Sequence, residues 1–283
     1  MPWYSSILRL VVPWWQSPVH VPDAARSLLH NYSGIAEDQI EQHVTTFREK
    51  AWSINPYPCV GMCMFLRPTL HFAKVDNEYE QILNRVKGGE RVLDVGCAMA
   101  QDLRTLAADG APTENMFGTD ITQEFWEASF DLFCDRSRMQ ATFIKSDIFD
   151  DHSPLVRDYE NSFDILICGD FFHLFNFESQ VQAAIRCVRL SRARPGTTII
   201  GKQIGALPPM TISTGFSSKA HMYLHDESSF RKMWTEVEEQ TQTRWDVRVR
   251  TVAFGEESFW SPSQAFAWMG EARCGIEFVI VRL

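Results

Sequence analysis

The chain has 283 residues, 45% of them hydrophobic, and a net charge of −9. That length suits one large α/β domain with an added segment, and the composition suits a soluble fold with a sizeable core. Proteins that neutralise phosphates need a basic face, so a pI near 5.4 argues against nucleic acid and anionic membranes as partners.

The N-terminal apolar run from Ile7 to Trp15 is broken by Arg9 and Pro13. It is too short to span a bilayer and lacks a signal-peptide pattern, so a soluble, cytoplasmic protein is expected. The seven cysteines are Cys59, Cys63, Cys97, Cys134, Cys168, Cys187 and Cys274. Their number is odd and most lie in apolar segments, which fits reduced thiols. Cys59 and Cys63 lack a second Cys/His pair at zinc spacing, so no metal site is expected.

Residues 1–75 are rich in proline and aromatic residues, among them Trp14, Trp15, Trp52, Tyr57 and Phe65. A helix is predicted over 37–51, where Ile40, Val44 and Phe47 share a face. The segment 54–61 holds two prolines and a glycine and cannot continue it. A second helix is predicted over 77–86, ended by Gly88-Gly89. From Glu90 onward strands alternate with helices. Strands are predicted over 91–95, 116–121, 141–145, 163–168 and 197–203, with helices over 101–108, 123–136, 178–190 and 228–240. Late strands are predicted over 245–254 and 277–283. The pattern predicts a seven-stranded, mostly parallel Rossmann-like α/β sheet with an antiparallel last strand, helices on both faces and an N-terminal helical, aromatic extension. The expected division is an extension or lid over 1–75 and a cofactor-binding domain over 76–283. Ligands in such sheets bind at the carboxyl ends of the strands.

The first strand ends in Asp94-Val-Gly-Cys-Ala-Met-Ala-Gln-Asp102, a turn of small residues opening a helix. Dinucleotide binders need three glycines here so that a pyrophosphate can reach the helix N-terminus, and this turn has only Gly96. That counts against a nicotinamide-dependent reductase. A zwitterionic amino acid joined to a nucleoside, as in S-adenosylmethionine, suits the turn better. Asp94, Gly96, Cys97 and Asp102 are its candidate binding residues, with Asp94 placed to meet the cofactor's ammonium. Asp120 and Ile121 end the second strand, some 24 residues past Gly96, where an acidic residue accepts from ribose hydroxyls. Asp147 and Ile148 follow the third strand, the one for an adenine amine and the other for its ring. Gly169 and Asp170 follow the fourth strand and border the sulfonium end. The bland alternatives are an N-cap at Asp120 and a turn at Asp147.

His173 opens a helical turn near the transfer point and is the candidate catalytic and substrate-orienting residue. Its alternative is a packed histidine bonded to backbone. His221, Tyr223, His225 and Asp226 form a polar knot in which Asp226 is the expected N-cap and His225 a candidate pocket wall. Tyr57 belongs to an aromatic set that either anchors the extension or covers an apolar pocket.

Together with Asn31-Tyr-Ser-Gly-Ile35, Pro56-Tyr-Pro-Cys-Val-Gly61, Asp109-Gly-Ala-Pro112 and Ser229-Phe-Arg-Lys-Met-Trp234, the glycine turn resembles that of the class I methyltransferases of fungal meroterpenoid clusters, of the andrastin, terretonin and austinol type. The resemblance spans roughly residues 20–283. It implies S-adenosylmethionine as cofactor and carboxyl O-methylation of a farnesylated aromatic polyketide acid before terpene cyclisation. It also implies a homodimer, with Asp120, Asp147 and Ile148 at cofactor-contacting positions. A phenol or alcohol acceptor, or a cofactor-binding regulator without turnover, are the alternatives. The family's turn usually reads Gly-Cys-Cys-Phe-Gly-Gln-Asp, whereas Ala98, Met99 and Ala100 stand here. An alanine at 100 is strained if that position needs a positive φ.

Overall fold

The computed structural model describes residues 12, 14–15, 17–74, 77–213, 221–253 and 273–283, with only the backbone at 73–74. The run at 7–15 and the end of the strand expected over 245–254 lie partly outside these residues. The helices are α1 (Asp23–Ser27), α2 (Ile40–Ile54), α3 (Pro58–Gly61), α4 (Glu78–Lys87), α5 (Gln101–Ala108), α6 (Gln123–Phe133), α7 (Pro154–Tyr159), α8 (Phe177–Leu190) and α9 (Glu227–Thr241). The strands are β1 (Val92–Val95), β2 (Met116–Asp120), β3 (Thr142–Lys145), β4 (Ile165–Gly169), β5 (Thr198–Ala206), β6 (Met210–Ser213), β7 (His221–Leu224), β8 (Trp245–Val252) and β9 (Arg273–Arg282).

Seven strands form one sheet in the order β3-β2-β1-β4-β5-β9-β8. The first five pair in parallel, and β9 runs antiparallel to both its neighbours. The expected sheet is present. Its antiparallel strand is internal, because the chain lays down β8 at the edge and then returns between β5 and β8. The strand order reverses between β1 and β4, which leaves a crevice at their carboxyl ends.

Alternate strand residues feed two cores. Leu93, Leu166, Cys168 and Ile199 pack with Val181, Phe230 and Trp234 of α8 and α9 on one face. Val92, Ile165, Ile167 and Ile200 pack with Ile82, Leu103, Leu106 and Trp126 of α4, α5 and α6 on the other. Central strands buried on both faces explain the unbroken apolar runs of the sequence. The extension makes a third core, in which Leu29, Val44, Phe47 and Trp52 pack with Met99, Phe125, Leu132 and Phe133. It therefore sits against the glycine turn and α6. Tyr32 Oη donates to Asp135 Oδ2 at 2.9 Å, and Arg104 Nε pairs with the same oxygen at 3.1 Å, a fully buried ion pair that the half-buried tyrosine ties to the extension. The hairpin β6–β7 falls between the strand predicted over 197–203 and the helix predicted over 228–240, where no strand was predicted. Among the described residues, no helix is long and apolar enough to cross a membrane.

Candidate functional site

β1 ends beneath a turn that forces its backbone into the left-handed region three times. Gly96 has φ +69°, and a Cβ there would lie 2.7 Å from the Phe171 ring, so only glycine fits. Ala98 and Ala100 have φ +44° and +48°. The positive φ anticipated at 100 is real, and 98 shares it. Each costs an L-residue about 1–2 kcal/mol. The surrounding bonds hold the turn: Ala98 N–H donates to Asp120 Oδ2 at 3.0 Å, and Arg104 Nη1 to the Met99 carbonyl at 3.3 Å. Replacing Ala98 by glycine is expected to raise the unfolding free energy by about 0.5–1 kcal/mol once the added freedom of the unfolded glycine is counted. Urea denaturation checks this, and a loss of stability would contradict the strain.

Three carboxylates cluster around the turn. Asp94 is buried on β1, and burial, then Asp102, then Asp120 push its carboxyl well above the usual range, with Arg104 opposing. Asp120, at the end of β2, accepts from the N–H groups of Ala98 at 3.0 Å and Thr122 at 2.8 Å. Burial raises it as well. Ile121 beside it is exposed. Asp102 faces elsewhere. Its two oxygens accept from Thr69 N–H at 3.0 Å and Leu70 N–H at 2.7 Å, so it fastens the 3-10 turn Thr69–Lys74 to α5. Cys97 packs beneath the turn, its Sγ 2.9 Å from the place of a Gly118 Cβ.

Asp147 is exposed and its Oδ1 accepts from Phe149 N–H at 2.9 Å, an Asx turn that leaves its second oxygen for a ligand. Ile148 turns inward and belongs to the core, so the apolar side chain exposed at this strand end is Phe149.

A second polar group stands at the ends of β4 and β5. The register pairs Gly169 with Lys202. A Cβ on Gly169 would lie 1.9 Å from Thr69 Oγ1, so the glycine lets the extension close against the sheet. Asp170 has φ +51° and accepts from the buried Lys202 Nζ at 2.7 Å. His173 is buried on the following 3-10 turn, and burial lowers its ring to about 4, with Asp170 raising and Lys202 lowering it. Its Nδ1 and Asp170 Oδ1 are buried without a hydrogen-bond partner among the described residues. The packed, backbone-bonded alternative for His173 is therefore not what the structure shows.

Cys59 connects the two groups. Its thiol is solvent-reachable yet enclosed, and burial, Asp170 and Asp120 push it up to about 12. Cys59 thus lies within electrostatic reach of both the carboxylate cluster and Asp170, at the carboxyl ends of the strands. Tyr57 borders it: its pKa is raised by burial and by Asp120, and its Oη accepts from Asn55 Nδ2 at 2.9 Å. Lys202 was not singled out from sequence, because a lysine within an apolar strand carries no motif, and Cys59 was weighed there only as a metal ligand.

His225 needs correcting. It is fully buried on the far side of β7, with Nδ1 3.0 Å from Ser229 Oγ and Nε2 3.1 Å from Gln180 Oε1. Both ring nitrogens are satisfied, so it ties α8 to α9. Asp226 is the N-cap of α9, as expected, in a capping box with Ser229. Burial lowers His225 to about 4. A histidine depressed on folding contributes stability that is present above its ordinary pKa and lost as pH falls below it. The stability lost in His225→Phe should therefore shrink by about 2 kcal/mol between about pH 7.5 and about pH 5. A pH-independent loss in thermal unfolding would contradict the buried neutral ring.

The residues fit S-adenosylmethionine. Asp94 is a buried carboxylate among carboxylates and gains from a cation. Gln101 Oε1 and Asp170 Oδ1 are buried acceptors without partners among the described residues. A pyrophosphate would need donors where these acceptors stand.

Comparison with known proteins agrees. Residues 14–66 match the family described as meroterpenoid methyltransferase N-terminal domain, and residues 92–194 that described as methyltransferase domain. The chain is 37% identical over 251 residues to the O-methyltransferase atr3 of Stereocaulon alpinum, covering 87% of this chain and 72% of that protein. It is 36% identical over 221 residues to the methyltransferase adrK of Penicillium roqueforti, covering 78% of each. Among solved structures, the MccD protein superimposes with a TM-score of 0.51 at 10% identity over 77% of this chain and all (100%) of that one, a likeness of fold. The chain belongs to the S-adenosylmethionine-dependent O-methyltransferases of fungal meroterpenoid metabolism.

Proposed function

We propose that the chain methylates the carboxylate of a hydrophobic aromatic polyketide or meroterpenoid acid. The observation that carries this is the low basicity of His173, whose ring is held near 4. A phenol, with an ordinary pKa of about 10, needs a base far stronger than that, whereas a carboxylic acid of about 4 is already ionised. Exposed Tyr57, Ile121, Phe149 and Leu174 offer apolar surface at the strand ends for a hydrophobic acceptor.

In this reading Asp94 meets the cofactor's ammonium, Asp120 its ribose and Asp147 its adenine, while Gly96 lies along the turn and Gly169 and Asp170 border the sulfonium end. Bound S-adenosylmethionine supplies a methyl group on a sulfonium, transferred in line as the C–S bond breaks and an acceptor O–C bond forms. The chain's own work is alignment and exclusion of water. His173 orients the acceptor, Tyr57 covers it, and residues 1–75 act as a lid over the domain at 76–283. A homodimer, which the resemblance implies, is checked by sedimentation equilibrium.

The test is His173→Ala with an aromatic acid as acceptor. A fall in kcat of about tenfold, unchanged by raising pH, is expected for an orienting residue. A fall of about a thousandfold that recovers at high pH would instead identify a phenol or alcohol acceptor. Absence of S-adenosylhomocysteine from wild-type reactions across aromatic acids and phenols would favour a non-catalytic regulator.

A further inference from the structure

Lys202 sits in the middle of β5, only 1% exposed, in a strand whose every residue is buried. A lysine in such a place is kept only when something there needs its charge. Asp170 is bonded to Lys202 twice. The Asp170 N–H donates to the Lys202 carbonyl at 2.7 Å, and the Lys202 ammonium donates to Asp170 Oδ2 at 2.7 Å. These two bonds hold Asp170 at φ +51°, a conformation an aspartate adopts at a cost. The result is directional. With Oδ2 engaged, Oδ1 is left buried and unpartnered, as is Nδ1 of His173 one helical turn further on. The same segment is backed by Thr69, which closes on Gly169, and by Asp102, which holds Thr69 in place.

We propose that Lys202 is a positioning residue for methyl transfer: through Asp170 it fixes the loop 169–174, so that His173 Nδ1 faces the acceptor. This rests on the proposed function only in taking the β4–β5 end of the cleft as the acceptor end. The lysine touches neither cofactor nor acceptor and acts through the carboxylate it holds.

The experiment is a double-mutant cycle of Lys202→Met and Asp170→Asn in the full chain, read with labelled S-adenosylmethionine and an alkyl-substituted dihydroxybenzoic acid, and by NMR titration of the His173 ring. The expected result is a fall in kcat of about 100-fold in Lys202→Met, with S-adenosylmethionine affinity changed by less than about threefold. Lys202→Arg should recover most of the rate. The double variant should be no slower than Asp170→Asn alone, because the two residues act as one unit. It also removes the unpaired buried carboxylate left by Lys202→Met, so it reports even if that single variant folds poorly. The His173 ring, faced by Asp170 and Lys202, should titrate at higher pH in Lys202→Met, since a neighbouring cation is lost. Additive losses across the cycle, or an unchanged His173 titration, would overturn the proposal. The NMR arm needs no turnover, so a wild-type protein that forms ethers or fails on this acid would sink the proposed function while leaving Lys202 separately tested.

Discussion

Asp94→Asn is expected to raise the melting temperature of the cofactor-free protein by a few degrees and to weaken S-adenosylmethionine binding by about 100-fold or more. The two effects share one cause. Asp94 is 4% exposed and lies within the field of Asp102 and Asp120, so its ionised form is disfavoured in the fold. A carboxyl raised on folding contributes stability below its unfolded pKa that is lost as pH rises through its folded value. Above that folded value its neutral isostere is therefore the more stable. The gain should vanish below about pH 3, where wild-type Asp94 is protonated in both states. Conversely, a cation in the cleft is worth most against a poorly solvated carboxylate. Thermal shift with and without cofactor reads both numbers. An Asp94→Asn protein that is less stable alone yet binds as wild type would show that this carboxylate serves the scaffold.

Arg104→Met carries the second large effect, in the opposite direction. Arg104 and Asp135 are both 0% exposed, paired at 3.1 Å, and Tyr32 of the extension shares the same carboxylate. Removing the cation leaves Asp135 buried and held only by a phenol and its surroundings. Breaking a buried pair on one side costs about 3–5 kcal/mol, or roughly 10 °C in melting temperature for a domain of this size. The extension should become protease-sensitive before the domain does, because its Tyr32 anchor depends on the pair. The double variant Arg104→Met/Asp135→Asn should recover much of the loss. A single-variant loss below about 1 kcal/mol would mean that the pair behaves as a surface bridge.

Much of this arrangement was legible in the sequence because the signals were local. The apolar spacing of Leu103 and Leu106 placed α5 at 101–108, where it lies. Asp226 announced α9 as a cap. Asp94, Asp120, Asp147 and Asp170 all follow or end strands whose apolar runs mark them, so their gathering at one sheet edge follows from parallel topology. What was not legible depends on pairings between distant segments. Asp102 looks like a cofactor residue from its place in the turn. It is diverted to Thr69 and Leu70 because the extension folds back across α5. Lys202 has meaning only once the β4–β5 register sets it beside Gly169. His225 resembles a pocket residue until Gln180 and Ser229 are brought to its two nitrogens. The hairpin β6–β7 has short, largely exposed strands, and little periodicity survives to reveal it. The helix α7 had its signal in Ser153-Pro154, a cap followed by a proline at the first position, but it spans only 6 residues.

The methylated atom decides the account most directly. The protein is incubated with S-adenosylmethionine carrying a labelled methyl group and an aromatic acid that bears both a free carboxyl and free phenols, and the product is treated with mild alkali. A methyl ester releases its label as methanol under these conditions, whereas an aryl methyl ether retains it. Release of the label, together with stoichiometric S-adenosylhomocysteine, is the predicted result. Label that stays on the ring after hydrolysis would contradict a carboxylate acceptor and make His173, despite its low basicity, part of a proton-removing site.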